Sequence, residues 1–170
     1  MNMRLALMFL LVGTLFFSHA GKAQKLFFVY ANGMYNTPTG KFKESQYNYG
    51  LGGEAGAGFG LLSSTFITGS IGYNTFHNKV DGVSNLKVTP IKFGLRHYLF
   101  AKMLFVKADA GVAAIKGDGD SKSKFTMGAG AGVKFAGLNL GIDYNTVNTG
   151  ISGANWYGWF AFKAGFSIGI

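Results

Sequence analysis

The chain has no cysteine, two prolines, three histidines and only seven acidic residues against sixteen basic ones. Without cysteine, neither a disulfide nor a thiolate metal site can hold the fold together. Scattered histidines with no Asp or Glu at ligand spacing exclude a recognisable metal motif, and no cofactor is expected. Proline is scarce, 48% of residues are apolar and 16% aromatic, which excludes a disordered chain. Long apolar runs are also scarce. The one that exists, Leu5 to Phe17, follows Met1-Asn2-Met3-Arg4 and precedes Ser18-His19-Ala20-Gly21-Lys22-Ala23-Gln24. A basic start, an apolar stretch of about 13 residues and a small-x-Ala site make a secretory signal, too short to cross a bilayer as a helix. Cleavage after Ala20 or Ala23 fits, with Ala23 preferred, so residues 1–23 are read as the signal peptide and 24–170 as one exported domain.

What the chain has in abundance is glycine, with 27 residues, and phenylalanine, with 17. The stretch Tyr49–Leu62, YGLGGEAGAGFGLL, places glycine at 50, 52, 56, 58 and 60 with Glu54 in the same register. Gly50-Leu51-Gly52-Gly53-Glu54-Ala55 fits a relaxed dinucleotide fingerprint. That motif requires a buried strand before it and a helix after it; here SQYN precedes it and the alternation simply continues. The odd positions Leu51, Ala55, Ala57, Phe59 and Leu61 are apolar, which makes the segment a strand with one greasy and one bare face.

Seven further segments alternate with the same period of two: 26–35, 65–76, 86–99, 104–116, 125–135, 138–145 and 156–170. The first has an ambiguous register. Pro90 falls inside the fourth alternating segment, 86–99, where it removes a ladder donor and calls for a bulge or a place near a rim. Connections alternate between long and polar (36–48, 77–85, 117–124, 147–155) and short (62–64, 100–103, 136–137). A meander of that kind gathers its long loops at one end, as in membrane barrels with short periplasmic turns. The fold expected is all-β, an eight-stranded antiparallel up-and-down transmembrane β-barrel.

Charge decides which face is inside. Glu54, Lys92, Arg96, Lys107, Asp109, Lys134, Asp143 and Lys163 lie mid-strand on the polar face, while the opposite face is nearly uncharged over about 7 to 10 residues per strand, a bilayer-crossing length. Those eight are expected to form an interior charge network, with glycines giving the long side chains room in a lumen barely wide enough to be filled. Phe59, Tyr73, Phe135, Tyr144, Trp156, Tyr157 and Phe166, near strand ends, are expected at the membrane interfaces, along with Phe76, Phe100 and Phe105. Catalytic residues are not expected: Ser84, His77 and Asp81 share one loop region but read as ordinary loop composition. The run Lys116–Lys124 lacks the spaced acids and closing Glu of a calcium loop.

The export signal, eight alternating segments, first loop Asn36-Thr37-Pro38-Thr39-Gly40 and amphipathic final strand resemble the small outer-membrane β-barrel family of the OmpA/OmpX transmembrane type. The resemblance spans the mature chain and rests on period and length. It departs at the end, where Phe166-Ser167-Ile168-Gly169-Ile170 stands in place of a terminal aromatic. It implies a bacterial outer-membrane location, insertion by the barrel-assembly machinery, and contact with outer-membrane lipid and lipopolysaccharide, to which the lysines near the long loops (Lys41, Lys43, Lys79, Lys87, Lys122, Lys124) would add. No nucleic-acid partner is expected. The expected role is structural or surface interaction through the external loops; the alternatives are a narrow small-solute channel and a soluble secreted lipocalin-like barrel with its apolar face turned inward.

Overall fold

The computed structural model describes residues 27–62, 64–80, 82–117, 121–148 and 156–169. The proposed signal peptide lies outside them. Eight strands follow one another around a closed barrel: β1 Phe27–Thr39, β2 Tyr47–Leu62, β3 Thr65–Asn78, β4 Leu86–Leu99, β5 Leu104–Lys116, β6 Lys122–Phe135, β7 Leu138–Asn148 and β8 Trp156–Gly169. Every neighbouring pair is antiparallel, and β1 closes the ring by pairing with β8 from Phe28↔Gly169 to Thr39↔Gly158. No strand edge is left open, which is the condition for a sheet to sit in hydrocarbon.

The alternation runs inside out. Phe93 is 69% exposed and its neighbour Lys92 only 3%. The same reversal holds for Phe162 beside Lys163, Val106 beside Lys107 and Ile142 beside Asp143. A water-soluble barrel would bury the phenylalanine and wet the lysine, so this is a transmembrane barrel with an apolar outer wall.

Two short helical turns, α1 Gly40–Glu44 and α2 Phe100–Met103, join β1 to β2 and β4 to β5. The tightest connection, Ala136-Gly137, has both residues at positive φ, 49° and 89°. That is the conformation of a two-residue hairpin whose twist matches its strands. The turns at 100–103 and 136–137 share one end of the barrel with the start of β1, the end of β2 and the end of β8. The connection at 40–46 and the strand ends Asn78, Leu86, Lys116, Lys122, Asn148 and Trp156 lie at the other.

The first strand extends further than its alternation suggested. It runs to Thr39, so Asn36 and Pro38 belong to the wall, and the expected loop over 36–48 contracts to α1 and two flanking residues. Its register puts Phe28, Tyr30, Asn32, Met34, Asn36 and Pro38 inside. The cause lies on β2, where Gly58, Gly56, Gly52 and Gly50 stand directly opposite Phe28, Tyr30, Met34 and Asn36. The prolines sit where a donor is not required. Pro38 pairs only with Trp159 of β8, beyond the last β1–β2 pair at Asn36↔Gly50. Pro90 pairs with Ala113 of β5, while the β3–β4 ladder is interrupted between Ile71↔Ile91 and Asn74↔Val88.

Candidate functional site

The barrel interior is layered. At the short-turn end, Phe28, Tyr30, Phe66, Tyr98 and Phe105 form a buried aromatic cluster. Phe66 meets Phe28 and Tyr98 edge-on at 5.2 and 5.6 Å, a favoured geometry for ring quadrupoles. At the long-loop end, Phe42, Phe76, Val88, Ala113, Val147, Trp159 and Ala161 form a second cluster. Its stopper is Phe42, delivered by α1 and 1% exposed. The ring stacks on Tyr157 at 4.8 Å and meets Phe76 edge-on at 4.8 Å. Just below this cluster, the Asn36 side-chain amide donates to Asn74 Oδ1 at 2.8 Å.

Between the two clusters runs a chain of alternating charges. Lys92 Nζ lies 2.7 Å from Asp109 Oδ1, and Lys107 Nζ bridges Asp109 Oδ2 at 3.1 Å and Asp143 Oδ2 at 2.7 Å. Lys163 Nζ then bridges Asp143 Oδ2 at 2.6 Å and Glu54 Oε2 at 2.8 Å. Lys92 also donates to Asn145 Oδ1 at 2.9 Å. Three ammoniums and three carboxylates cancel, and every interior member of the chain touches two opposite charges. In a site this dry such a chain persists only because each charge is compensated.

Glycine makes the chain possible in a specific way. Across the neighbouring strand, Lys92 faces Gly111, Asp109 faces Gly94 and Gly128, Lys107 and Asp143 both face Gly130, Lys163 faces Gly141, and Glu54 faces Gly72. Each charged side chain therefore bends over bare backbone. A Cβ built on Gly130 would collide with the Asp143 carboxylate, and one on Gly94 would lie 2.7 Å from Asp109 Cβ. The β2 glycines serve rings as well: Gly58 accommodates Phe28, Gly56 Tyr30 and Gly50 Phe76. Glu54 is the place on that strand where the lumen holds a counter-ion instead of a ring.

Of the eight charged residues singled out from the sequence, six are brought into this chain. Arg96 is held differently, with its guanidinium carbon 5.1, 4.7 and 4.5 Å from the rings of Phe28, Tyr30 and Phe105 and its Nη1 3.5 Å from the Tyr98 hydroxyl. Desolvated cation–π contacts of this kind stabilise by about 2 kcal/mol. Lys134 lies nearer the short turns, with Nζ 5.9 Å from the Phe28 ring. The void lined by Asn32, Glu54, Arg96, Lys107, Asp143 and Lys163 has room for about one water molecule.

The outer wall carries most of the expected interfacial aromatics. Phe59, Phe135 and Phe166 are exposed at the short-turn end, and Tyr73, Tyr144 and Trp156 on the long-loop side. Tyr157 is different: it faces inward and stacks on Phe42. Phe76 and Phe105 likewise belong to the interior clusters, because each lies on the inward parity of its strand. His77 faces outward and stacks on Tyr49 at 4.7 Å. His97 bonds Thr65 Oγ1 through its Nδ1 at 2.8 Å. Asp81, Asp118 and Asp120 lie outside the described residues, and among the described residues no group of three or more His, Cys, Asp and Glu is placed to hold a metal.

Sequence reasoning missed Phe28, Tyr30, Asn32 and Phe42 as lumen residues, whereas Asn74, Asn139, Asn145 and Trp159 share the inward parity of the charged residues on their strands. The spacing of Gly56 and Gly58 was the available signal for the first two, since a cleared position implies something filling it from the adjacent strand.

No family model matches the sequence, and no curated protein matches it. Solved structures do. The N-terminal β-barrel domain of Pseudomonas aeruginosa OprF aligns with a TM-score of 0.59 at 14% identity, covering 86% of this chain and 100% of that one. Neisserial surface protein A aligns at 0.56 and 15% identity, covering 85% and 97%. Ail, the attachment invasion locus protein of Yersinia pestis, aligns at 0.56 and 12% identity, covering 84% and 97%. The chain has the fold of the eight-stranded outer-membrane barrels.

Proposed function

We propose that the protein is an integral barrel of the bacterial outer membrane, exported through a cleaved signal at residues 1–23, inserted by the barrel-assembly machinery, and without catalytic activity. Its role is structural or one of surface interaction: the wall anchors a closed plug, and the loops joining β1–β2, β3–β4, β5–β6 and β7–β8 face the exterior. Lys41, Lys43, Lys79, Lys122 and Lys124 give that end a positive surface suited to anionic lipopolysaccharide.

The observation that carries this reading is the filled interior. Two aromatic clusters bracket a self-neutralising ion chain, and the void lined by Glu54, Lys107, Asp143 and Lys163 accommodates about one water molecule. A conducting barrel needs a continuous aqueous path. Planar-bilayer recording on the refolded protein tests the point directly: the expected result is no current above the bare membrane, and reproducible unitary steps would replace the plug with a narrow channel. Heat-modifiable gel migration of the outer-membrane fraction tests the location; recovery in the soluble fraction without detergent would sink it.

A further inference from the structure

One pair of residues in the wall is electrostatically out of place. Lys87 of β4 and Lys116 of β5 are direct cross-strand partners on the outer face, and both are exposed. Residues so placed have Cβ atoms about 4.5–5.5 Å apart, and like charges there destabilise a sheet. The four acidic residues within the described chain lie elsewhere, Glu54, Asp109 and Asp143 inside the lumen and Glu44 on α1.

The surroundings are those of an anion site. Thr75 stands opposite Lys87 on β3, Thr89 is the next outward residue on β4, and Ser123 of β6 stands opposite Ala114. Three hydroxyls therefore flank two ammoniums. One outward position further toward the bilayer centre come Tyr73 on β3 and Phe125 on β6, both exposed. Aromatic residues of this kind mark the membrane interface. From Lys87 to Ile91 and from Lys116 to Val112, where the apolar wall begins, is about 13 Å along the strand. The pair thus stands at headgroup height on the long-loop side.

We propose that Lys87 and Lys116, with Thr75, Thr89 and Ser123, form a binding site for the phosphate of an outer-leaflet lipid. A phosphate monoester carries about −1.5 to −2 charge at neutral pH and presents three acceptor oxygens. It neutralises both ammoniums at once and accepts from the flanking hydroxyls. This assignment rests on the membrane reading above and adds to it a place and a headgroup chemistry.

The test is native mass spectrometry of the full chain released from phosphatidylcholine bilayers containing lipid A, comparing retained lipid A with retained phosphatidylcholine. The wild type is expected to favour lipid A. Lys87→Gln and Lys116→Gln should each lower the retention ratio about fivefold and the double variant about 25-fold, because a basic residue near a membrane surface contributes about a factor of five. Lys122→Gln/Lys124→Gln removes two charges from the same end on the inward parity of β6, away from the pair, and should lower the ratio less than either Lys87→Gln or Lys116→Gln alone. The proposal is overturned if the double variant retains lipid A as the wild type does, if the Lys122/Lys124 variant loses as much, or if inorganic phosphate displaces lipid A completely, which would mark a site for the free ion. Unheated gels of the same samples separate this from the membrane reading: a wild type without a heat-shifted band defeats that reading, whereas a normal band with unselective retention defeats only the site. Should the double variant fail to fold, the single variants and the charge-conserving Lys87→Arg/Lys116→Arg, expected to retain selectivity, decide the matter.

Discussion

Lys163→Met offers a direct test of whether the lumen is dry. Lys163 Nζ is the ion partner of Glu54 Oε2 at 2.8 Å, and the Glu54 side chain is 3% exposed. Methionine keeps the length of the chain and removes the charge, so Glu54 is left ionised without its counter-ion. Asp143 keeps Lys107. Removing one partner of a buried pair costs about 3–5 kcal/mol. Glu54→Gln costs less, about 1.5–3 kcal/mol, since Lys163 retains Asp143 and loses only one charge-assisted contact. The double variant restores neutrality and is expected to cost less than Lys163→Met alone. Urea titration of the barrel refolded into phospholipid bilayers, read by unheated gel mobility and tryptophan fluorescence, gives all three values. A loss below about 1 kcal/mol for Lys163→Met, the range of solvated ion pairs, would mean that Glu54 is already in water. Strict additivity would carry the same message, and the plug would have to be given up.

Three more expectations follow from packing. Gly58→Ala places a methyl group against the Phe28 ring and should lower stability by about 1–3 kcal/mol, part of which Phe28→Leu restores in the same background; no change in urea midpoint would refute the close approach. Phe42→Ala empties the centre of the outer cluster and should cost about 3–5 kcal/mol while speeding tryptic cleavage after Lys41 or Lys43. The same variant should remain closed in planar bilayers because the ion chain is untouched; unitary currents would show that Phe42 alone seals the lumen. Gly137→Ala forces a side chain into the left-handed region at φ 89° and should lower stability by about 1–2 kcal/mol in the same titration.

Strand number, order and the inside-out orientation were legible because all three depend on period and on the parity of charges, which are local. Lys92, Lys107, Asp109, Asp143, Lys163 and Glu54 could be assigned to one face from sequence because each sits on an unbroken alternation. Their pairing could not, because Glu54 and Lys163 are 109 residues apart and the tilt of the strands decides which charges meet across the lumen. The first strand was illegible for another reason. LFFVYANGMY is apolar on both parities, and only the receding glycines of β2 break the tie in favour of Phe28 and Tyr30. Tyr157, Phe76 and Phe105 lie near strand ends, as interfacial aromatics do, but their parity turns them into the lumen. Phe42 had no pattern at all: a single phenylalanine among lysines in a connecting segment looks like a loop residue until the mouth it enters is in place. Charge alone points Arg96 to the carboxylates, whereas the weaker hydration of a guanidinium suits it to the ring faces it meets.

The six members of the ion chain come from β2, β4, β5, β7 and β8, and the Glu54–Lys163 contact reaches across β1, the strand that pairs with both β2 and β8. In a sheet that has formed but not yet curled, Lys163 can keep Asp143 on the adjacent strand while Glu54, near the opposite end, has no counter-ion. The last step of assembly is pulled by electrostatic attraction between the ends as well as by backbone pairing along the seam. A ring closed out of step, with β8 displaced by one residue against β1, would turn Lys163 toward the lipid and strand Glu54 inside. The arrangement that fills the lumen thus also acts as a proofreading device for the register of closure.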